Sequence, residues 1–331
     1  MKLSVIMSVY NGERYLASAI DSILGQTCRG FEFLIVDDGS TDGTAALLAK
    51  YAEKDARVRV VTHQSNRGLT ASLNELLPLV QGEYLARMDA DDINLPERFA
   101  RQVAWLDGHP ACGLVGSAYK FIDLEDGAGM TFLFENDHHF LQWYLCFQNP
   151  LAHPAVMGRS ALFRAVGGYR EDFRYGQDFD LWWRLSFITQ LACLPEALTC
   201  VRRNPAGVSG VHRPEQLAAK RKILAEMLPK LSVAGLDGVL ADDEDNVSQQ
   251  GTYIRKVYET FTARAEIPGQ VRELIRQDAA MRMAVIFLKH PLTSLDLLLE
   301  ALRMDSVMPV RALSFGFGRL AARIARNPII R

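Results

Sequence analysis

Along the first part of the chain, the spacing of apolar positions switches repeatedly between the period of a strand and that of a helix. Leu3 to Val9 is a short β-rich run, after which Leu16, Ile20, Ile23 and Leu24 recur at helical spacing. Phe31 to Val36 is almost continuously apolar and leads into Asp37-Asp38-Gly39-Ser40. Thr41 or Asp42 can cap the next helix, which the pattern carries to about Glu53. Val58 to Thr62 predicts a third strand, Thr70 to Val80 a helix, and Glu83 to Met88 a fourth strand that ends on Asp89. Strand and helix in regular succession predict an α/β fold with a mostly parallel, doubly wound sheet flanked by helices. Ligands bind such sheets beyond the carboxyl ends of the strands. Tyr10-Asn11, Asp37-Asp38 and Asp89 to Asp92 each follow a strand directly, so they are expected to converge on one rim.

The alternation loosens from about residue 110, and the next informative stretch is Asn149 to Ser209. Past residue 213 the pattern becomes helical, broken at Pro229, Gly235, Gly238, Pro268 and Pro291. This predicts a catalytic-type domain over 1–212 and a helical C-terminal region over 213–331.

Composition narrows the class. A chain of 331 residues, 49% hydrophobic and 23% charged, has room for one large domain plus an appendage. A net charge of -2 supplies no global attraction to nucleic acid, so any anionic partner must meet a local basic patch. Cys28, Cys112, Cys146, Cys193 and Cys200 lack the spacing of a zinc or redox site and read as reduced, mostly buried thiols of a cytosolic protein. The start MKLSVIMSVYNGERY runs into polar residues rather than a small-residue cleavage site, so it reads as a first strand. No segment reaches the roughly 18 consecutive apolar residues of a spanning helix. The nearest run, Met283 to Leu288, stops at Lys289-His290-Pro291. A cytoplasmic protein is expected.

Asp89, Asp91 and Asp92 crowd carboxylates at a strand end, where mutual repulsion calls for a cation or a solvated loop. Hard oxygen ligands without His or Cys favour Mg²⁺ or Mn²⁺ over zinc. The fragment belongs to an ordered set: SVIMSVYNGERYL, FLIVDDGSTDGT, NRG, GEYLARMDADDINLPERFARQ, HPAVMGRSALF, GGYR and GQDFDLWWRL. Together these motifs resemble the family 2 glycosyltransferases, inverting enzymes of the GT-A fold that use nucleotide-sugars. The resemblance covers about residues 3 to 210.

The resemblance implies roles residue by residue. Tyr10 would lie against the nucleotide base, and Asp38 would accept from a ring N–H of that base. Arg67, in the third loop, would reach the donor. Asp89 would face the ribose or sugar, and Asp91, with help from Asp89, would bind the Mn²⁺ or Mg²⁺ that bridges the donor's phosphates. Asp92 would stabilise the loop. Asp178 would be the catalytic base that takes the acceptor hydroxyl's proton. Asp180, two residues on in a helix, would face away from it. Trp182 and Trp183 read as core, although an aromatic here often stacks on a sugar. His153 is either a residue on the acceptor side or a structural histidine.

Three departures qualify the match. Ser8 replaces a proline. Gln177 replaces an acid before the base, and removing that like charge is expected to lower the pKa of Asp178. Asn204 stands where relatives carry a histidine, so a third protein ligand to the metal is absent from the motif, and His212 is poorly spaced to replace it.

Asp242 to Asp245 read as a solvated connection. Over residues 311–331, Leu313, Phe317, Leu320 and Ile324 share one helical face and Arg319, Arg323 and Arg326 another. Such a helix can lie on the inner face of an anionic membrane or pack on protein, and the first option would suit a lipid-linked glycan acceptor. The expected partners are a nucleotide-sugar donor, UDP-sugars foremost, and a glycan or lipid-linked acceptor, with one sugar moved per encounter in surface polysaccharide synthesis. Two other readings remain: a catalytically silent nucleotide-sugar binding protein, and a phosphotransferase with an Asp nucleophile.

Overall fold

The apolar run Leu3–Val9 forms β1, which lies between β2 (Phe31–Asp37) and β4 (Tyr84–Asp89) and pairs in parallel with both. Strands with neighbours on each side and helices over each face have no open surface, which explains their nearly unbroken apolar sequences. β3 (Val58–Thr62) extends the parallel set beyond β2. The structure is a computed structural model; it describes residues 1–122, 131–132, 134–202, 212–233, 247–291, 293–305 and 307.

The remaining strands are β5 (Ile93–Asn94), β6 (Cys112–Ile122), β7 (Thr131–Phe132), β8 (Met157–Arg159) and β9 (Gln190–Arg202). Among the described residues the sheet has the order β3-β2-β1-β4-β8-β6-β9-β5, with β7 paired to β6. The parallel expectation holds for β3-β2-β1-β4 and for β6 with β9, whereas β8 runs antiparallel between β4 and β6. Three residues of β8 bridge the two halves. Gly158 there faces Leu85 on one side and Leu114 on the other. A Cβ on it would come within 2.8 Å of the Gly113 carbonyl and the Phe163 ring, so the close approach requires glycine.

Helices α1 (Glu13–Leu24), α2 (Thr44–Lys54), α3 (Leu69–Leu76), α4 (Arg98–Gly108), α5 (His138–Leu145), α6 (Ser160–Ala165) and α7 (Gln177–Ser186) accompany the strands. Leu16, Ala19, Ile20 and Ile23 of α1 are buried in one core with Val5, Met7, Phe33 and Ile35. The helix predicted over Thr70 to Val80 divides: α3 ends at Leu76 and a 3-10 turn spans Leu77–Leu79. Pro78, without an N–H, cannot continue the α-helical ladder. The predicted cap of α2 is also refined. The Asp42 carboxylate accepts from the Thr44 N–H at 3.0 Å, whereas the Thr41 N–H donates to Asn11.

Arg98 and Gln102 of α4 fasten the sheet from beneath. The fully buried Arg98 guanidinium donates to the Arg87 and Val156 carbonyls at 2.9 and 2.8 Å and to Asn94 at 2.7 Å. Burial pulls its pKa down to about 9. Gln102 donates to Ala155 and Val115 carbonyls. These bonds satisfy backbone groups where β4, β6 and β8 meet irregularly.

The chain divides into two compact units, Met1–Lys220 and Arg221–Arg331, with the division inside helix Arg213–Met227. The second unit carries helices Val247–Thr262, Gly269–Lys289 and Leu295–Met304. Its own core contains Tyr253, Val257, Phe261, Ile275, Ala279 and Met283. Among the described residues no helix is long and apolar enough to cross a membrane. The arginine pattern of 311–331, Asn204 and Asp242–Asp245 lie outside the described residues. Cys112, Cys146 and Cys193 are buried, and Cys28 and Cys200 partly so.

Candidate active site

The register of the parallel strands brings their polar ends together. Val9 lies opposite Asp37, and Ser8 opposite both Val36 and Asp89. Tyr10 follows at once and is 49% exposed, an open aromatic surface on this rim. Beside it, Asn11 takes a left-handed conformation (φ 51°) and accepts from the Thr41 N–H at 2.8 Å. Glu13 accepts from Gly43 N–H while its own N–H donates to Asp42. The loops after β1 and β2 are thus laced into one ledge.

Asp38 stands on that ledge and is almost fully buried. Its Oδ1 accepts from the Arg67 N–H at 2.8 Å and lies 2.7 Å from His63 Nδ1; its Oδ2 accepts from the Gly68 N–H at 2.8 Å. Gly39, at φ +76°, passes so close to the loop after β3 that a Cβ would meet the Ser65 backbone at 2.6 Å. Arg67 meets Asp38 through its backbone, while its exposed guanidinium pairs with Glu75 at 2.7 Å.

The end of β4 carries the acidic group. Arg87, on the same face as Asp89 by the strand's period of two, is buried and forms an ion pair with it. Two further nitrogens of Arg87, Nε and Nη1, have no hydrogen-bond partner among the described residues. Burial and the neighbouring Asp89 charge push Asp91 above the usual carboxylate range. The same causes, with Asp91 added, push Asp92 well up. Asp92 Oδ1 accepts from the Arg202 N–H at 2.7 Å, and Arg202 Nε donates to the Asp91 carbonyl. The loop-stabilising role read for Asp92 therefore has a defined partner, but Asp92 Oδ2 has none among the described residues.

Asp178 sits in the first turn of α7, after Gly176 in a left-handed conformation (φ 74°). Asn149 donates to its Oδ2 at 2.7 Å. Burial pushes its pKa up; the Phe179 N–H and the Arg87 charge act against this, and Asp89 adds to it. Gln177 adds no like charge to this balance; burial sets the upward direction. Arg87 and Asp89 act on Asp178 through space, so the structure gathers Asp89, Asp91 and Asp178 into one electrostatic cluster. Asp38 stands across β1 from them. Asp180 faces away from Asp178 as expected and is held by Arg184 at 2.7 Å and Arg170 at 3.4 Å.

The two residues assigned to the acceptor side are packed inside. Trp182 is fully buried and donates to the Leu151 carbonyl at 3.2 Å, which corrects the sugar-stacking option: its ring has no open face. His153 is buried, contacts the Tyr169 hydroxyl at 2.9 Å and meets Trp182 edge-on. Burial, then the Arg87 charge, push its pKa well below the ordinary imidazole value. Of the two options, the structural histidine fits.

The acidic group suits a divalent cation. Crowded oxygen donors and an Asp92 oxygen without a partner among the described residues mark a negative charge that the chain itself does not fully compensate. Among the described residues no three His, Cys, Asp or Glu side chains converge as a metal cage. Mg²⁺-type sites commonly need only one or two carboxylates plus substrate phosphates.

Comparison with known proteins decides the family. The pattern described as Glycosyl transferase family 2 matches residues 4–162. An uncharacterized glycosyltransferase of Haemophilus influenzae is 31% identical over 252 residues, 71% of this chain and 76% of the relative. The chain belongs to glycosyl transferase family 2. This family 2 glycosyltransferase is also similar to the O-antigen biosynthesis glycosyltransferase WbnJ of Escherichia coli, 33% identical over 184 residues, 55% of this chain and 71% of WbnJ. Across four such relatives the alignment spans between 63% and 76% of the relative's length. Its fold is shared with S. aureus TarS 1-349 in complex with UDP-GlcNAc, at TM-score 0.57 and 21% identity, covering 85% of this chain and 86% of that one. It is shared too with the mannosyltransferase PcManGT of Pyrobaculum calidifontis in complex with GDP-Man and Mn²⁺, at TM-score 0.53 and 18% identity, covering 99% and 81%. These are GT-A structures. The family sets aside the Asp-nucleophile phosphotransferase.

Sequence reasoning missed His63, Arg87, Arg98 and Asn149. Arg87 was detectable in principle, because a charge within the apolar run of a central strand is anomalous, whereas Arg98 opens helix α4, where an arginine is ordinary. His63, after β3, and Asn149, in the loop after α5, carry no such signal, since polar residues are ordinary in loops.

Proposed function

We propose that this glycosyltransferase moves one sugar from a nucleotide-diphosphate sugar to a hydroxyl of a glycan or lipid-linked acceptor, with inversion at the anomeric carbon. The observation that carries the reading is the placing of acceptor carboxylates on both sides of β1: Asp38 after β2 and Asp89-Asp91 at the end of β4, about 10 Å apart at two strand spacings. A base held at Asp38 can extend its diphosphate to the second group. Tyr10, exposed between them, is a surface for the base to rest on.

In the proposed step Asp178 takes the proton from the acceptor hydroxyl as that oxygen attacks the anomeric carbon opposite the leaving diphosphate. Asn149 aims the carboxylate, the Phe179 N–H and the Arg87 charge act against the burial that raises its pKa, and Arg87 fixes Asp89. Asp91, helped by Asp89, would hold Mn²⁺ or Mg²⁺, which neutralises charge developing on the diphosphate. UDP-sugars are the proposed donors, supported by the UDP-GlcNAc complex of TarS; the Mn²⁺ in PcManGT supports the metal. The names of relatives such as the O-antigen biosynthesis glycosyltransferase WbnJ support a place in polysaccharide synthesis.

A thermal-shift screen of nucleotide-sugars with and without Mn²⁺ tests this, because a ligand of the folded state raises its stability by mass action. The expected result is a rise with a UDP-sugar that depends on Mn²⁺. No rise with any nucleotide-sugar would overturn the reading, and binding without transfer or donor hydrolysis would favour the silent binding protein.

A further inference from the structure

Behind Asp38 a chain of polar contacts runs away from the rim. His63 lies with Nδ1 2.7 Å from Asp38 Oδ1 and Nε2 2.9 Å from Glu75 Oε2, and Glu75 in turn holds Arg67 at 2.7 Å. The His63 side chain is 5% exposed and Asp38 3%, against 35% for Glu75. An ionised carboxylate only accepts, so His63 donates from Nδ1 to Asp38 and, by the same argument, from Nε2 to Glu75. A carboxylate offers about four acceptor positions. Oδ1 is filled by Arg67 N–H and His63, whereas Oδ2 holds only Gly68 N–H. The position left for a ligand is on Oδ2.

We propose that His63 is a positioning residue for nucleobase recognition: by filling Oδ1 it turns the open lone pair of Asp38 Oδ2 toward the donor's ring N–H. This rests on the reading that Asp38 takes the base. The arrangement selects bases with a ring N–H, uracil, thymine or guanine, over cytosine and adenine, whose ring nitrogens at the pairing edge only accept.

Two substitutions separate the halves of the imidazole. The amide nitrogen of Asn overlays Nδ1, so His63→Asn keeps the Asp38 bond and loses Glu75. Gln reaches the Nε2 position, so His63→Gln keeps Glu75 and loses Asp38. A purely structural role would weaken the fold in both without sorting the ligands. The experiment measures dissociation constants of UDP, dTDP, GDP, CDP and ADP with Mn²⁺ by calorimetry, for the wild type, Asp38→Asn, His63→Asn, His63→Gln and His63→Ala, with thermal unfolding of each variant as the folding control. The expected result is tight binding by one or more of UDP, dTDP and GDP, weakened about tenfold, the worth of one hydrogen bond to a charged group, in His63→Gln and His63→Ala but restored in His63→Asn. Equal affinities in His63→Asn and His63→Gln, or unchanged affinity in His63→Ala, would overturn the positioning role while leaving Asp38 in place. Unchanged binding in Asp38→Asn, preferred binding of CDP or ADP, or no binding by UDP, dTDP and GDP would instead overturn the underlying reading of Asp38.

Discussion

Removing the amide that holds the proposed base should move the enzyme's pH profile. Asn149 Nδ2 donates to Asp178 Oδ2 at 2.7 Å, a short bond to an ionisable acceptor. Such bonds contribute about 1.5–3 kcal/mol. Asp178 retains some exposure, so solvent screens part of this and the lower half of the range applies. At 1.36 kcal/mol per pH unit, about 1.5–2 kcal/mol corresponds to a little over one pH unit. The sign follows from which form the amide favours. A donor bonded to the ionised carboxylate favours that form, whereas burial favours the neutral one. Asn149→Ala therefore raises the pKa, and because a general base works only when ionised, the acid limb of kcat/KM moves to higher pH by about one unit. Well above the limb the rate returns toward that of the wild type. Asn149 also accepts from the Leu151 N–H at 3.1 Å, so a stability loss of about 1 kcal/mol is expected alongside. Initial rates of nucleotide release across about pH 5 to 9 separate the two effects. A uniformly lower rate with an unmoved acid limb would refute the coupling.

Two further perturbations probe the scaffold beneath the site. Arg87→Met removes the cation paired with Asp89; because Asp89 is 35% exposed, the cost should be about 2 kcal/mol in urea denaturation, below the ~3–5 of a fully buried pair. Unchanged stability would show that the unpartnered Arg87 nitrogens already cancel the pair. Gly39→Ala forces a Cβ against the Ser65 backbone at φ +76° and should lose about 2 kcal/mol by the same assay, together with nucleotide affinity, since Asp38 is adjacent. Wild-type affinity in a destabilised Gly39→Ala protein would separate the turn from the nucleotide site.

Much of this organisation was legible before the structure. β1, β2 and β4 follow the apolar runs within a residue or two, because strands buried on both faces must be apolar throughout, and the edge strand β3 keeps its predicted bounds with Arg59 and Thr62 exposed. Once those strands are parallel and in register, the rim positions of Asp38, Asp89 and Asp91 follow. The second half was harder. β8 is only three residues long, and its antiparallel insertion is set by Gly158 fitting between two neighbours rather than by any period. β6 and β9 carry register irregularities that blur alternation. The motif shows that Asp178 has Gln177 as its neighbour but not the burial that raises its pKa, because the depth at which α7 sets it comes from tertiary packing. Trp182 was left open for the same reason: a Trp in an amphipathic helix reads alike whether its ring faces solvent or the core. His63 and Glu75 meet only because α3 packs back over β1 and β2 and so reaches the loop after β3, a contact that local sequence does not encode.

The central claim, that Asp178 takes the proton in a transfer for which Asp38 and the Asp89-Asp91 group hold the donor, is tested most directly by Asp178→Asn. Asn preserves size and can still pair with Asn149, but it cannot accept a proton at neutral pH. Transfer rate and nucleotide affinity should be measured on the same preparation with Mn²⁺. The account predicts a loss of turnover of at least about a hundredfold, the usual worth of a general base, with nucleotide affinity unchanged within a few-fold. Near-normal turnover in Asp178→Asn would contradict it.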